Sequence, residues 1–384
     1  MSAQHATAAP RADRPVFTEA QAELRHRVRT FLEEEVVPAY PDWREAGRPS
    51  REFWVRAGEL GMLGVGVPAE LGGREGSDFR DSVVVTEEIQ RLGLAVGGLR
   101  VQTDICMPYL LHHASPEQRE AWVPRMTRGE VVAALAMSEP GAGSDIKSMS
   151  TRAVRDGDHY VVNGAKTFIS NGAEADLLIL AVKTDPDAGR EGLSLLLVDT
   201  TTPGFTRGRK LDKLGLAAQD LAELAFTDMR VPVENLVGEE GSGFSYLTSN
   251  LAQERLSIAV NSQAAAAAAL AWTVEDLAGT RPSQSVKFAV AACATRVAAG
   301  QALVDEALGR LVADELTGAH SALVKLYCTE LQSEVVSRLL ELAPPSAYRA
   351  SSRVGQAHLD GRVSRIYGGS SEIMKVIVAQ DLGL

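Results

Sequence analysis

Three stretches of this sequence combine residue types that could do chemistry. The segment 136–145, AMSEPGAGSD, holds two glycines, a proline and two serine hydroxyls directly after an apolar run. Glycines let a backbone come close to a flat ring or a phosphate, while hydroxyls and free N–H groups supply donors. No Gly-Lys-Ser/Thr follows, which excludes the phosphate loop of nucleotide hydrolases. The segment 163–172, NGAKTFISNG, sets Phe168 and Ser170 two residues apart. On a regular strand these share one face, where an aromatic can lie on a flavin ring and a hydroxyl can bond its edge. The third stretch, LAQERLSIAV at 251–260, carries Glu254 and Arg255 within a helical pattern. Taken singly, each has a plain reading: a turn, a core phenylalanine, a solvated ion pair.

Those residues must be positioned by a chain of 384 residues, longer than one hydrophobic core usually serves. Hydrophobic residues make up 45% and charged residues 23%, an ordinary globular composition. The net charge of −11, with no basic block, speaks against nucleic acid or an anionic membrane as partner. Cys106, Cys293 and Cys328 lie far apart, which suits a reducing compartment and neither a disulfide framework nor a zinc site. Residues 1–14 lack the apolar stretch of a signal peptide, and no uninterrupted apolar run reaches membrane-spanning length. The expectation is a soluble, cytoplasmic protein.

Three zones follow along the chain. Residues 1–130 read as a helical domain, with 1–15 expected to be disordered. Thr18 and Gln21 form a capping-box pattern, and Leu24, Val28, Phe31, Leu32 and Val36 recur at helical spacing until Pro38 is expected to stop the run. Ser115, Pro116 and Gln118 mark another helix start. Residues 131–242 hold short β-rich runs, with Asp156-Gly157 and Asn163-Gly164 placed to make consecutive hairpins of an antiparallel β-domain. Residues 243–384 are helical again, with patterns at 247–277, 284–315, 319–342 and 371–380. The alanine run Ala264–Ala269 suits close helix packing, and Pro344-Pro345 breaks the pattern. The fold class is therefore α+β: helices, then sheet, then a helical bundle.

Together, SEPGAGSD, NGAKTFISNG, VPVENLVGEEGSGF at 231–244 and RIYGGSSEIMK at 365–375 resemble the acyl-CoA dehydrogenase family, from about residue 17 to the C-terminus. The resemblance implies a C-terminal four-helix bundle and FAD as cofactor. Leu135, Ser138, Gly143 and Ser144 would line the FAD, with Ser144 also near the thioester. Phe168 would lie on the isoalloxazine, Ser170 would bond its N5 edge, and Ser370 and Glu372 would meet the adenosine part. Many members place their base in an Ile-Tyr-Glu-Gly-Thr segment, but here Ile366 and Tyr367 are followed by Gly368, Gly369 and Ser370. A minority branch uses an E-R-L motif on a bundle helix, which assigns the base to Glu254. Glu139 and Asp145 then read as structural parts of their loop. Gly368 and Gly369 would bind the thioester carbonyl through backbone N–H groups, and Arg255 would shape the substrate site.

Two family segments are altered. The connector 278–284, AGTRPSQ, is shorter than the usual R-x-x-F-G-x-P-L-x-x-F-Q, leaving Arg281 and Gln284 for a contact to FAD across a subunit boundary. The stretch 341–348, ELAPPSAY, replaces Q-x-x-G-G-x-G-Y with prolines that lack N–H groups. The reaction implied is dehydrogenation of an acyl thioester to an enoyl thioester, on CoA or an acyl carrier protein, with an electron-transferring flavoprotein as acceptor and a dimer or tetramer as assembly. The altered segments motivate a specialised biosynthetic, carrier-protein variant with a displaced double bond. A flavin monooxygenase or oxidase and a flavin-free relative are the other readings. Gln102, Thr103, Asp104 and Met107 border the acyl pocket in the family, and their polarity suggests a short acyl chain. His112 and His113 read as helix-end residues.

Overall fold

A computed structural model of the chain describes residues 14–349 and 351–384. The disorder expected for residues 1–15 lies, for 1–13, outside the described residues. Arg14 is itself buried and ion-paired to Glu87 at 2.5 Å.

The N-terminal helices are α1 (Glu19–Phe31), α2 (Val37–Ala46), α3 (Arg51–Glu59), α4 (Phe79–Arg91), α5 (Gly98–Arg100), α6 (Met107–His113) and α7 (Pro116–Thr127). The capping boxes at Thr18/Gln21 and Ser115/Gln118 are both formed. Pro38 does not end the first run. The chain passes through a π-helical turn at Leu32–Val36 straight into α2, where Pro38 sits in the first turn and the widened turn before it accommodates the proline without ending the helix. The stop comes at Gly47, whose φ of 75° is the left-handed C-cap. A second π-helical turn, Val101–Cys106, joins α5 to α6.

Among the described residues seven strands form one sheet: β1 (Ala133–Ala136), β2 (Arg152–Asp156), β3 (His159–Ser170), β4 (Leu177–Lys183), β5 (Leu193–Asp199), β6 (Phe205–Lys210) and β7 (Leu221–Pro232). Most pairings are antiparallel as expected, but β1 runs parallel to β4, and β2 meets β4 in parallel at Arg152–Lys183. Asp156-Gly157 does open a hairpin, between β2 and β3. Asn163-Gly164 does not: it lies inside β3, at a register shift against β7 where Gly164 has φ 154°. A Cβ at Gly164 would stand 2.5 Å from the Thr151 hydroxyl, so close backbone approach rather than a turn explains that glycine. In β4, Leu177 and Ile179 join one core cluster while Leu178 and Leu180 join another. Burial on both faces accounts for its unbroken apolar run.

The C-terminal region contains α8 (Gly243–Ser249), α9 (Leu251–Leu277), α10 (Gln284–Val312), α11 (Gly318–Leu342), α12 (Arg353–Gly361) and α13 (Ser371–Asp381). The pattern read as one helix over 247–277 is broken at Asn250. Three long helices pack on one another, and short α12 and α13 pack on α11. Ala264–Ala269 are all buried, as close packing of α9 requires. α10 is buried only along a stripe from Ala289 to Leu308, while Phe288 is 66% exposed. An 18-residue window of α10 has a mean hydropathy of 1.2, long and apolar enough to cross a membrane by length and composition only, but Lys287 and Arg296 interrupt the helix and leave no unbroken apolar run of that length.

Candidate functional site

The glycine-serine loop and β3 come together as one surface. Glu139 and Ala142 exchange backbone hydrogen bonds, Glu139 N–H to Ala142 O at 2.8 Å and Ala142 N–H to Glu139 O at 3.1 Å, closing a tight turn over Pro140-Gly141. Thr167 N–H donates to Ser138 O at 2.9 Å, and Lys166 Nζ donates to Met137 O at 3.0 Å. Glu139, read as structural, is buried: it pairs with Lys166 at 2.8 Å and accepts the N–H groups of Ser150 and Thr151. Leu135 and Ser138 are half-buried and Gly143 and Ser144 exposed, with nothing within 4 Å of a Cβ placed on Gly143.

Strand geometry around Phe168 departs from the regular alternation assumed above. A second register shift falls between Lys166 and Ile169, and Phe168 adopts φ 57°, a strained conformation for an aromatic residue. The bulge sends Lys166 inward and turns Phe168 outward, leaving it 64% exposed. Ser170 Oγ accepts from Gln219 Nε2 at 3.1 Å, so the Ser170 hydroxyl keeps its proton for another acceptor. A large aromatic presented to solvent at backbone strain, beside an anchored hydroxyl and an uncrowded glycine loop, fits a flat ring such as the flavin of FAD.

Asn171, φ 63°, ties this surface to the helices: its Nδ2 donates to Gly98 O at 3.0 Å and Ala133 O at 3.1 Å. From Gly98 the chain runs through α5 and the π turn to Tyr109, which reaches Glu254 on α9. Tyr109 Oη donates to Glu254 Oε1 at 2.9 Å, and Asn250 Nδ2 donates to the same oxygen at 3.2 Å. Oε2 has no protein partner among the described residues, yet it is not among the side-chain atoms sealed from solvent. Burial pushes the Glu254 carboxyl above the ordinary carboxylate range, against the opposing hydrogen bonds of Tyr109 and Asn250 and the charge of Arg255.

Arg255 turns away from Glu254's partners. It is buried, with Nη1 donating to Gly318 O at 3.1 Å at the start of α11, and so it ties α9 to α11. Gly368 packs against α9: a Cβ there would lie 2.2 Å from Ile258 Cδ1, one turn beyond Glu254 on that helix. Its φ of 63° and that of Gly369, 96°, favour glycine at both positions. Lys325, fully buried, donates to Gly369 O and pins this loop to α11. Burial lowers the Lys325 ammonium to about 8. Ser370 caps α13 by accepting from Ile373 N–H at 3.4 Å, and Glu372 is exposed on its first turn.

Arg281 and Gln284 are not brought to this surface within the chain. They follow the far end of α9, whose 1.5 Å rise per residue puts Leu277 roughly 35 Å from Glu254. Both are exposed. Pro345–Tyr348 forms a short 3-10 turn after α11. The polar ends of Gln102, Thr103 and Asp104 are taken up by hydrogen bonds within the protein. Gln102 bonds Val131 O and Ala133 N–H, at 2.8 and 2.7 Å, Thr103 Oγ1 bonds Asp104 at 2.8 Å, and all three are buried. The polarity that suggested a short substrate is used inside the protein. His113 stacks on Tyr246 at 4.1 Å between α6 and α8. Sequence reasoning missed Tyr109, Asn250, Gln219, Lys166 and Lys325. Asn250 alone left a trace, as an Asx residue in the helical pattern.

Known proteins resemble this chain over nearly all of its length. Residues 18–130, 134–229 and 241–383 match the N-terminal, middle and C-terminal domains of acyl-CoA dehydrogenase. The long-chain specific acyl-CoA dehydrogenase of Sus scrofa mitochondria is 37% identical over 378 residues, 96% of this chain and 88% of that protein. An acyl-CoA dehydrogenase of Bacillus subtilis is 32% identical, covering 95% of this chain and 98% of its own length. The crystal structure of an acyl-CoA dehydrogenase from Geobacillus kaustophilus superposes with a TM-score of 0.93 at 41% identity, over 96% of this chain and 99% of that one. With three consecutive domains matched around a buried glutamate and a presented aromatic, the chain belongs to the acyl-CoA dehydrogenase family, whose members are FAD flavoproteins that oxidise CH–CH bonds.

Proposed function

We propose that this protein binds FAD and removes two hydrogens from the α and β carbons of an acyl-CoA thioester, with Glu254 as the base that takes the α-proton. The observation that carries the reading is the carboxylate of Glu254: buried, held on one oxygen by Tyr109 and Asn250, and open at the other. A raised carboxyl is a stronger base, suited to a weakly acidic C–H. The N–H of Gly368 polarises the thioester carbonyl from the loop that touches α9, and Gly369 completes that turn under the hold of Lys325. Ser144 borders the thioester from the other side, and Arg255 fixes the floor of the site through α11.

Leu135, Ser138, Gly143 and Ser144 line the cofactor, Phe168 covers its ring, and the Ser170 hydroxyl, held by Gln219, donates to its edge. FAD, when bound, supplies the acceptor for the β-hydrogen and its electron pair. Ser370 and Glu372 serve the adenosine end, while Arg281 and Gln284 reach FAD from a neighbouring subunit. The apolar, half-bare face of α10 supports such a homo-oligomer, dimer or tetramer, which sedimentation of the holoprotein measures. An electron-transferring flavoprotein takes the electrons onward.

The acyl chain is read as long. The Sus scrofa relative is named for long chains, and the residues that suggested a short chain are occupied internally. Anaerobic mixing with butyryl to palmitoyl thioesters, on CoA and on acyl carrier protein, tests the whole reading through bleaching of the flavin. Fastest bleaching is expected with long-chain CoA esters. An optimum at butyryl restores the short-chain reading, and preference for carrier-protein esters establishes the biosynthetic one. Oxygen uptake matching turnover identifies an oxidase, and a colourless protein that takes up no FAD overturns the proposal.

A further inference from the structure

Asp104 is the most elaborately held carboxyl among the described residues that has no ion-pair partner. It is buried in the π turn, and its Oδ1 accepts from Ser82 Oγ at 2.6 Å and Thr103 Oγ1 at 2.8 Å. Its Oδ2 accepts from Ser257 Oγ, one turn past Glu254 on α9. Three hydroxyls from α4, the π turn and α9 thus lock this residue in place. Its backbone carbonyl, in turn, accepts from Asn250 Nδ2 at 3.3 Å and Gln253 Nε2 at 3.1 Å. A π turn widens the helix and leaves carbonyls open to such side-chain donors, and these turns recur at functional sites.

The amide of Asn250 therefore faces two oxygens that can only accept, the Asp104 carbonyl and Glu254 Oε1. That chemistry leaves one orientation for the amide, nitrogen inward. Asn250 sits at the break between α8 and α9, where its backbone carbonyl also accepts Glu254 N–H at 3.1 Å. From α6, Tyr109 Oη donates to the same Oε1 at 2.9 Å. Both side-chain donors converge on one carboxylate oxygen.

Resting on the reading of Glu254 as the base, we infer that Tyr109 and Asn250 are positioning residues that clamp Oε1 so that Oε2 alone faces the substrate, with Asn250 aimed by the Asp104 carbonyl. A carboxylate free to rotate would present either oxygen, at varying distance, and would lose the near-attack geometry on which proton abstraction depends. The break at Asn250 then has a use: an unbroken helix would carry this side chain along the helix surface rather than back across it.

Other charged or titratable groups facing Glu254 are Cys106 from the π turn and Arg255 from its own helix, with Tyr109 the third. Donors to the ionised carboxylate favour it, so removing one raises the pH at which the base protonates. The test is the pH profile of kcat/KM with the holoenzyme and a long-chain acyl-CoA. Asn250→Leu, similar in size and without a donor, is expected to move the acid limb up by about one pH unit. It should also lower kcat about tenfold while leaving KM within about twofold, since proton abstraction and not binding depends on the clamp. Tyr109→Phe, which keeps the ring, is expected to shift the limb in the same direction and serves if Asn250→Leu does not fold. A uniform loss of activity with the limb unmoved in both variants overturns the clamp. Glu254→Gln separates the two ideas: retained turnover there removes the base itself, whereas lost turnover with unmoved limbs in the other two removes only the clamp.

Discussion

Glu139 and Glu254 are both buried glutamates, and the protein treats them in opposite ways. Glu139 faces Lys166 at 2.8 Å and three further donors from Ser150 and Thr151, so although burial pushes its carboxyl up, the ammonium and hydrogen bonds bring it down to about 2. Glu254 has no ion-pair partner among the described residues, and burial prevails. The first carboxylate has its negative charge fully spent on holding the glycine-serine loop against β3. The second keeps basicity in reserve. A buried acid with a cation and no free oxygen is scaffold, whereas one with an open oxygen and no cation is available for chemistry.

The contrast breaks most directly at Glu254. Glu254→Gln keeps shape and both hydrogen-bonding neighbours, so the melting temperature should stay level or rise, while kcat falls roughly 10²–10⁴-fold, the range for losing a general base. Steady-state turnover and a thermal melt of the same sample check this. Activity within about threefold of the parent would move the base elsewhere and leave Glu254 another structural acid.

At the scaffold acid the expected loss is of stability. Lys166→Met leaves Glu139 buried without its cation, a change that costs about 3–5 kcal/mol for a buried pair. Denaturant unfolding should show it, with loss of bound flavin at lower denaturant than the parent. Because Glu139 is depressed on folding, its contribution is present above its unfolded range and is lost as pH falls toward about 2. The difference between Lys166→Met and parent should therefore shrink in strong acid. A variant as stable as the parent would remove the distinction drawn here.

Much of this was legible in the residues, and what was not has physical causes. The three-zone order, both capping boxes and the proline break after α11 depend on local periodicity and cap chemistry, which a sequence displays. Pro38 misled because a proline in a first helical turn and one that ends a helix look alike without knowing that a π turn precedes it. Asn163-Gly164 misled because a glycine needed for close approach to Thr151 has the same letters as a hairpin turn. Glu254 stood out only against the glycine at 368. Tyr109 lies 145 residues from Glu254 and Lys166 lies 27 from Glu139, separations at which hydrogen bonds leave no periodic mark. The parallel pairing of β1 with β4 is invisible for the same reason.

Phe168 sharpens the comparison from the cofactor side. It shares a strand with Lys166, but the bulge turns one inward to Glu139 and the other out. Phe168→Ala should weaken FAD retention roughly tenfold, the scale of one aromatic stacking contact. Apoprotein stability should hardly change, because the ring is already 64% exposed and its φ of 57° is strained. Flavin release during dialysis and unfolding of the apoprotein separate the two quantities. Equal losses in both would make Phe168 part of the scaffold.

The smallest effect lies in the parent protein's own pH profile, where only one of the two acids should be visible. With Glu254 as the proposed base, turnover needs it ionised, so activity is expected above its titration and should fall as pH drops through it. With Glu254 raised, the acid limb of kcat/KM belongs above the ordinary carboxylate value of about 4.3. Glu139, held to about 2, contributes nothing in that window and enters only when acid unfolds the protein. Profiles for the parent and for Glu139→Gln, taken where both remain folded, should then have superimposable acid limbs despite different stabilities. A limb that moves with Glu139 would mean the two acids titrate as one coupled system, joined through β3 and Asn171, and the division between scaffold and chemistry would give way to a single network.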